Sequence, residues 1–402
     1  MRGFKYRIYP KENQILKLEE MLRAKRYVWN YFLELNMKRF EKKHGILTYT
    51  EMSKLLTQLK QEHRWLYQCE KSVLQNVLKG LSKAYTTFFN GPMTYSVKTI
   101  KHAENKGMEL TFYYLQNHPK FKSYKNPHQS MVMNLTNNNI EVIEKEAEYT
   151  SKGKFKKQNC KIKLPKVKGV KIAYSRRYEG RILNATLSKE PDGKYYVSLC
   201  CTDILEKNVK STNKAIGIDL GITVFATKSD GETVPNPKYY SKNIKKLKKL
   251  QMELSRREKG SKNREKSRIK LSKHHKKIKN SRNNFLHKLT TELSQQNDVI
   301  CIEDLKPREM LKTNRLAMSI SDASYNTFKL LLTYKMSSSK KQLIIVDQYY
   351  PSSQICSNCD VQNKQVKDLS IRTWVCPECG IKHNRDYNAS KNILKEGLKQ
   401  IA

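Results

Sequence analysis

Apolar positions fall into two rhythms along this chain, and the change between them divides it. Phe4, Tyr6 and Ile8 alternate with Lys5 and Arg7 and stop at Pro10, the pattern of a short strand. Leu18, Met21, Val28, Phe32 and Leu35 then recur at intervals of three, four or seven, which predicts a helix to about Phe40. A second helix is expected from LTYTEMSKLL, where Thr48 and Glu51 have capping-box spacing and Met52, Leu55, Leu56 and Leu59 share a face. A third carries Leu74, Val77, Leu78, Leu81, Tyr85 and Phe88. Residues 91–130, broken by Pro92, Pro119 and Pro127, receive no assignment. From 131 to 203 the pattern turns to strands, with turn signals at Asn137-Asn138-Asn139 and Asp192-Gly193.

Beyond the polar stretch LEKNVKSTNK (205–214), KAIGIDLGITVFAT sets two apolar runs around a Gly-rich corner, and Asp230-Gly231 predicts a hairpin. Helical spacing returns from 241 to 289, with Gly260-Ser261 as the turn between two helices. DVICIEDL and LIIVDQYY read as buried strands on either side of a helix in SDASYNTFKLLLTYK. Strand, hairpin, helices, strand, helix, strand is an α/β order. The expected fold is therefore multidomain α+β. A helical domain with an N-terminal strand (1–130) and a β-rich, wedge- or barrel-like segment (131–204) would precede an α/β domain that begins at 205. No internal repeat is visible.

Charge narrows the partners. The chain has 79 Lys+Arg against 37 Asp+Glu, a net +42, and nucleic acid is the usual polyanion that neutralises such an excess. Residues 241–282 alone carry eighteen Lys/Arg and three Glu, a density suited to tracking phosphates. At 38% apolar residues a core can form. No apolar run approaches the ~18 residues of a membrane span, and MRGFKYRIYPKENQ lacks a signal-peptide core, so a cytoplasmic protein without membrane partners is expected. A GxxxxGK[ST] loop is absent, as is any recognisable Ser/His/Asp or Cys/His arrangement.

The cysteine count, nine, is odd. Cys69, Cys160, Cys200, Cys201 and Cys301 are scattered and expected to be small buried hydrophobes. Cys356 with Cys359, and Cys376 with Cys379, form two CxxC knuckles sixteen residues apart. That is zinc-ribbon spacing, and four protein ligands make the expected Zn²⁺ structural. His383 is expected to hydrogen-bond locally. His274 and His275 have no metal-like partners, and His287 either faces solvent or nucleic acid.

Three acids occupy places where chemistry could occur. Asp219 closes the strand GIDLG, where Gly217 and Gly221 leave room for another backbone or a substrate. Glu303 closes ICIED, and the two carboxylates would emerge together if the strands are neighbours. Asp386, in HNRDYNASKNI, lies near the start of a final helix. Converging carboxylates suit Mg²⁺ or Mn²⁺, and two such ions support phosphodiester hydrolysis. Taken singly, Asp219 also fits a turn, Glu303 or Asp304 a surface ion pair, and Asp386 a helix N-cap.

Order and context separate these readings. GIDLG with VFAT and an Asp-Gly turn, then IEDLK, a four-cysteine element and NRDYNASKNI resemble the split nuclease domain of the TnpB family. YRIYP, WLYQCEKSVLQNVLKGLSKAYTTFF, FLHKLT, NRLAMSISDAS and YYPSSQICSNC extend the likeness over nearly the whole chain. The resemblance implies an RNase H-like (RuvC) nuclease (205–348 and 384–402) interrupted by a zinc ribbon (349–383). It implies catalytic acids at Asp219, Glu303 and Asp386 holding Mg²⁺ (or Mn²⁺). It further implies a guide RNA from the transposon end, and cleavage of double-stranded DNA beside a short flanking motif by a monomer with one RNA. A nuclease-inactive RNA-guided regulator and a compact type V CRISPR effector are the alternatives on this scaffold. Two departures stand out: residues 90–118 exceed the family's usual link into PKFK, and Asn384-Arg385 replaces a common Asp-Arg. On the third helix Lys71, Gln75 and Lys79 form a polar stripe with Tyr49 nearby, which either is solvated or reads bases, since Gln pairs with adenine and Lys reaches guanine.

Overall fold

The N-terminal alternation produces strand β1 (Arg2–Tyr9), with Phe4, Tyr6 and Ile8 buried. A computed structural model describes residues 1–92, 94–108, 114–144, 147–149, 155–158, 160–204, 211–306, 310, 317–368 and 370–401. These divide into two compact units, Met1–Leu205 and Glu206–Ala402. Among the described residues no helix is long and apolar enough to cross a membrane.

In the first unit, helices α1 (Glu12–Glu41), α2 (Tyr49–Glu62) and α3 (Lys71–Phe89) form where the apolar stripes predict them. Thr48 and Glu51 make the expected reciprocal cap, each side chain meeting the other residue's backbone N–H. The unassigned stretch contains α4 (Val97–Lys106), capped by Ser96 and ended by Gly107 at φ 58°. Its sequence, VKTIKHAENK, is short and mostly polar, so the capping residues carry the signal rather than a stripe. Part of that stretch, Met93 and 109–113, lies outside the described residues, as do 205–210 of the polar stretch and 314–316 of NRLAMSISDAS.

Strands follow: β2 (Gln129–Asn134), β3 (Glu141–Ile143), β4 (Ala147–Tyr149), β5 (Phe155–Gln158), β6 (Lys161–Leu164), β7 (Val167–Ile172), β8 (Arg181–Lys189) and β9 (Tyr195–Thr202). Asp192-Gly193 turns β8 into β9, whereas the Asn137–Asn139 turn leads to strands at opposite edges of the sheet. The antiparallel order is β2-β8-β9-β1-β7-β6-β3, with β4 and β5 paired separately. Strand β1 therefore sits mid-sheet, pairing Tyr6 with Val197 and Ile8 with Ile172. Its apolar face joins Leu18, Met21, Val28 and Phe32 of α1 and the stripe of α3 in one core. Ser72 and Asn76 of α3 hydrogen-bond to the backbone of β2, which orients that helix.

The second unit is built on five strands: β10 (Ala215–Leu220), β11 (Val224–Lys228), β12 (Thr233–Pro235), β13 (Val299–Glu303) and β14 (Gln342–Val346). Their order is β12-β11-β10-β13-β14, antiparallel across β11 and parallel from β10 to β14. This is an RNase H-like sheet. Helices α5 (Tyr239–Ser255) and α6 (Lys262–Gln296) form the basic hairpin, with Ser261 capping α6. The helix expected in SDASYNTFKLLLTYK is two, α7 (Ala317–Ala323) and α8 (Tyr325–Ser338), because Ser324 between them adopts φ 58°. Leu286, Leu289, Leu293, Phe328 and Leu332 cover the face of the sheet that presents Ile216, Ile218, Ile300 and Ile302. The last helix, α9 (Arg385–Lys399), covers the other face. Strands β15 (Thr373–Val375) and β16 (Lys382–Asn384) form the hairpin that feeds it.

Candidate active site

Pairing decides where the first two acids stand. Ile218 of β10 is in parallel register with Ile302 of β13, so Asp219 and Glu303 follow side by side at the carboxyl ends of adjacent strands. Asp219 is paired with Thr227 inside the sheet and so is no turn residue. Glu303 ends its strand, while Asp304 takes the ion-pair role, 2.6 Å from Lys329.

Asp386 reaches the same end through α9, whose approach depends on glycine. A Cβ on Gly217 would lie 2.1 Å from the Ser390 carbonyl, and one on Gly397 would lie 2.4 Å from Cys301 Sγ. The room at Gly217 is thus occupied by the backbone of α9. Asn384 caps that helix by accepting from the Tyr387 N–H, so Asp386, in the first turn, has no capping duty. Arg372 Nη1 lies 3.6 Å from its Oδ1.

The carboxylates feel one another. Burial first, then the charges of Asp386 and Glu303, push Asp219 up to about 7. Glu303 also rises to about 7, through burial and then neighbouring Asp304. Crowded, partly desolvated carboxylates of this kind offer hard oxygen donors that suit a divalent ion. Beside Glu303 opens a cleft of about 470 Å³, lined by Leu220, Asp304, Lys306, Tyr325 and Lys329 among others. Spacing along the chain offers no signal for Arg372, Tyr325 or Lys329, which arrive from the ribbon hairpin and from α8.

The four clustered cysteines lie with their sulfur atoms within 4.8 Å of one another. Cys356 and Cys379 are 3.6 Å apart and Cys359 and Cys376 3.5 Å, close to the ~3.8 Å that a tetrahedron of ~2.3 Å metal–sulfur bonds requires. The knuckles are built alike. Cys356 N–H donates to the Val361 carbonyl and Cys376 N–H to that of Ile381, both at 2.9 Å. The residue after each second cysteine, Asp360 or Gly380, takes a left-handed φ of 63° or 70°. His383 is buried in β16, with Nε2 3.0 Å from Cys356 Sγ and its ring against Trp374. Cys69, Cys160, Cys201 and Cys301 are buried and Cys200 half-buried, as small hydrophobes would be.

Elsewhere the expected residues fall as follows. Lys71, Gln75 and Lys79 lie one turn apart on α3, and Lys79 Nζ stands 5.6 Å from the centre of the Tyr49 ring. In the basic hairpin Leu247, Leu250, Leu271 and Ile278 form a thin seam, leaving Lys245, Lys249, Lys266, Lys273 and Lys277 exposed. His274 is buried within it, His275 is exposed, and His287 lines a shallow surface depression on α6.

Known proteins share this plan. Residues 195–314 match the sequence model OrfB_IS605, described as "Probable transposase"; residues 325–393 match a Cas12f1-like TNB domain, and residues 1–45 a helix-turn-helix domain of the OrfB_IS605 type. Over 406 residues the chain is 33% identical to a "Putative RNA-guided DNA endonuclease" of Streptomyces pristinaespiralis, covering 100% of this chain and 90% of that protein. The chain belongs to the TnpB family. A second member, InsQ of Escherichia coli K12, is 28% identical over 419 residues and is matched over 94% of its length. Among solved structures, Cas12f1 in its complex with single-guide RNA and target DNA has the same fold, with a TM-score of 0.53 at 14% identity over 96% of this chain and 83% of that one.

Proposed function

We propose that this member of the TnpB family is an RNA-guided endonuclease that hydrolyses double-stranded DNA beside a short flanking motif. The observation that supports the reading is that Asp219 and Glu303 stand side by side at the carboxyl ends of β10 and β13, with Asp386 in the first turn of the helix that packs on Gly217. In this reading the three carboxylates hold two Mg²⁺ or Mn²⁺ ions, which would activate water and stabilise the leaving oxygen. Asp219 and Glu303, set on neighbouring strands, have little freedom to move, so the ligand geometry is fixed before substrate arrives. Asp386 completes the set only while α9 lies on Gly217. The ribbon's cysteines hold one structural Zn²⁺, and Asn388 and Asn392 of α9 fasten the ribbon by accepting from Ser357 N–H and donating to the Ser352 and Ile355 carbonyls.

Residues 1–130 and 131–204 would hold guide RNA and the flanking duplex, the guide itself supplying most sequence discrimination by base pairing. Tyr49, Lys71, Gln75 and Lys79 are the residues we assign to reading the flanking motif, and the hairpin at 241–282 to tracking phosphates. The nucleoprotein would contain one copy of the chain and one RNA. Asp219→Ala, Glu303→Ala and Asp386→Ala are each expected to abolish cleavage while RNA and DNA affinity stay near the parent's, measured with the copurifying RNA and a matched plasmid. Cleavage at the parent rate by any of the three would overturn the assignment.

A further inference from the structure

The ribbon buries one more polar side chain than its four ligands require. Strand β16 reads Lys382-His383-Asn384, exposed, buried, exposed, so alternation turns His383 inward. Its cross-strand partner in β15 is Trp374, also buried, and the two ring centres are 4.8 Å apart. An apolar residue would complete so small a core at no desolvation cost, whereas a buried imidazole needs a hydrogen-bond partner. That partner is one of the clustered sulfurs: Nε2 lies 3.0 Å from Cys356 Sγ.

Among the described residues, the donor atoms that lie within 4.8 Å of one another are the four cysteine sulfurs, and His383 stands outside that set. The ring thus meets Cys356 from behind rather than taking a ligand's place. A thiol that binds zinc has given up its proton, so Cys356 can then only accept, and Nε2 must carry the hydrogen of the pair. Four thiolates around one divalent ion also leave surplus negative charge. Cys356 is the most deeply buried of them, at 0% exposure, and so has the least help from water.

We propose that His383 is a positioning residue of the zinc site, whose Nε2–H donates to the Cys356 thiolate, fixes that sulfur in the cage and draws off part of its charge. The inference rests on the reading of the four cysteines as zinc ligands. Hydrogen bonds to ligating sulfurs tune their electron donation, and losing a group behind a metal ligand lowers metal affinity about 10–100-fold. Because β16 runs directly into α9, the same bond ties the first knuckle to the strand that leads to Asp386.

The test compares two variants of the full chain: His383→Phe keeps a ring against Trp374 without the donor, and His383→Gln keeps an N–H. Competition with a chromophoric zinc chelator should show affinity about 10–100-fold below the parent's for His383→Phe and near it for His383→Gln. In Co²⁺-substituted protein, the sulfur-to-metal charge-transfer bands should move to lower energy in His383→Phe and return in His383→Gln, a change that packing alone would not cause. In the parent, ¹⁵N spectra of selectively labelled histidine should show the His383 ring protonated at Nε2, a measurement that does not depend on how the variants fold. Parent affinity with parent bands in His383→Phe, a loss that glutamine fails to restore, or a ring protonated only at Nδ1 would each overturn the role. If Cys376→Ser keeps one zinc equivalent at parent affinity, the reading of the cysteines fails, and this inference with it.

Discussion

At the scale of single residues, environment rather than identity separates Glu303 from Asp304. Glu303 ends a buried strand and is pushed up to about 7, while its neighbour faces Lys329. Asp219 is shifted in the same direction. Below a raised pKa a carboxyl holds its proton, and only the ionised form binds a cation. The Mg²⁺ concentration for half-maximal cleavage should therefore fall as pH rises from about 6 to about 8. A requirement that is flat across that range, measured by initial rates, would contradict these environments. Gln75 is a different kind of residue, half-exposed, whereas its neighbours Ser72 and Asn76 hydrogen-bond to β2. Gln75→Ala should change which flanking bases are accepted, by roughly 1–3 kcal/mol at one position. Cleavage of a library with randomised flanks measures this, and unaltered preferences would leave the stripe as plain surface. The resemblance named Asp219, Glu303 and Asp386 as catalytic, but pairwise spacing alone left each acid open to an ordinary structural role.

At the scale of elements, the ribbon and α9 behave as one piece. Arg385 donates to the Asp368 carbonyl at 2.8 Å, Asn388 and Asn392 reach across to residues 352–357, and β16 runs directly into the helix. Metal binding and folding are coupled in so small an element. Cys376→Ser should therefore release zinc, about one equivalent per chain by metal analysis, and loosen residues 349–383 to proteolysis. Because Asp386 is the second residue of α9, cleavage should fall as well. Freshly purified, active protein without zinc would refute this. The CxxC spacing announced the ribbon. The fastening to α9 was not legible, since Asn388 and Asn392 look like any polar positions until their carbonyl partners are folded nearby. Gly217 was read as room for a backbone or a substrate, and only the packing of Ser390 and Leu394 against it chose the backbone.

At the scale of the whole molecule, charge is the dominant property. A net +42 makes affinity for nucleic acid depend on salt, because each neutralised phosphate releases counterions. Lys273, exposed on α6, should act on every target alike: Lys273→Gln should weaken binding uniformly and reduce the salt slope by about 1. A change confined to particular flanking sequences in binding isotherms at several salt concentrations would disprove a phosphate contact. By themselves, the residues determined the helices with long apolar stripes, the Asp-Gly hairpins, the two knuckles and the basic hairpin, because those depend on local periodicity, turn chemistry and ligand spacing. Strand partners were settled only in three dimensions: an alternating β1 carries no label naming β7 and β9, whose partnering residues lie more than 150 positions away. The same holds at the candidate site. Asp219 and Glu303 meet because β10 and β13 pair in one register, and long-range pairing leaves no periodic trace in sequence.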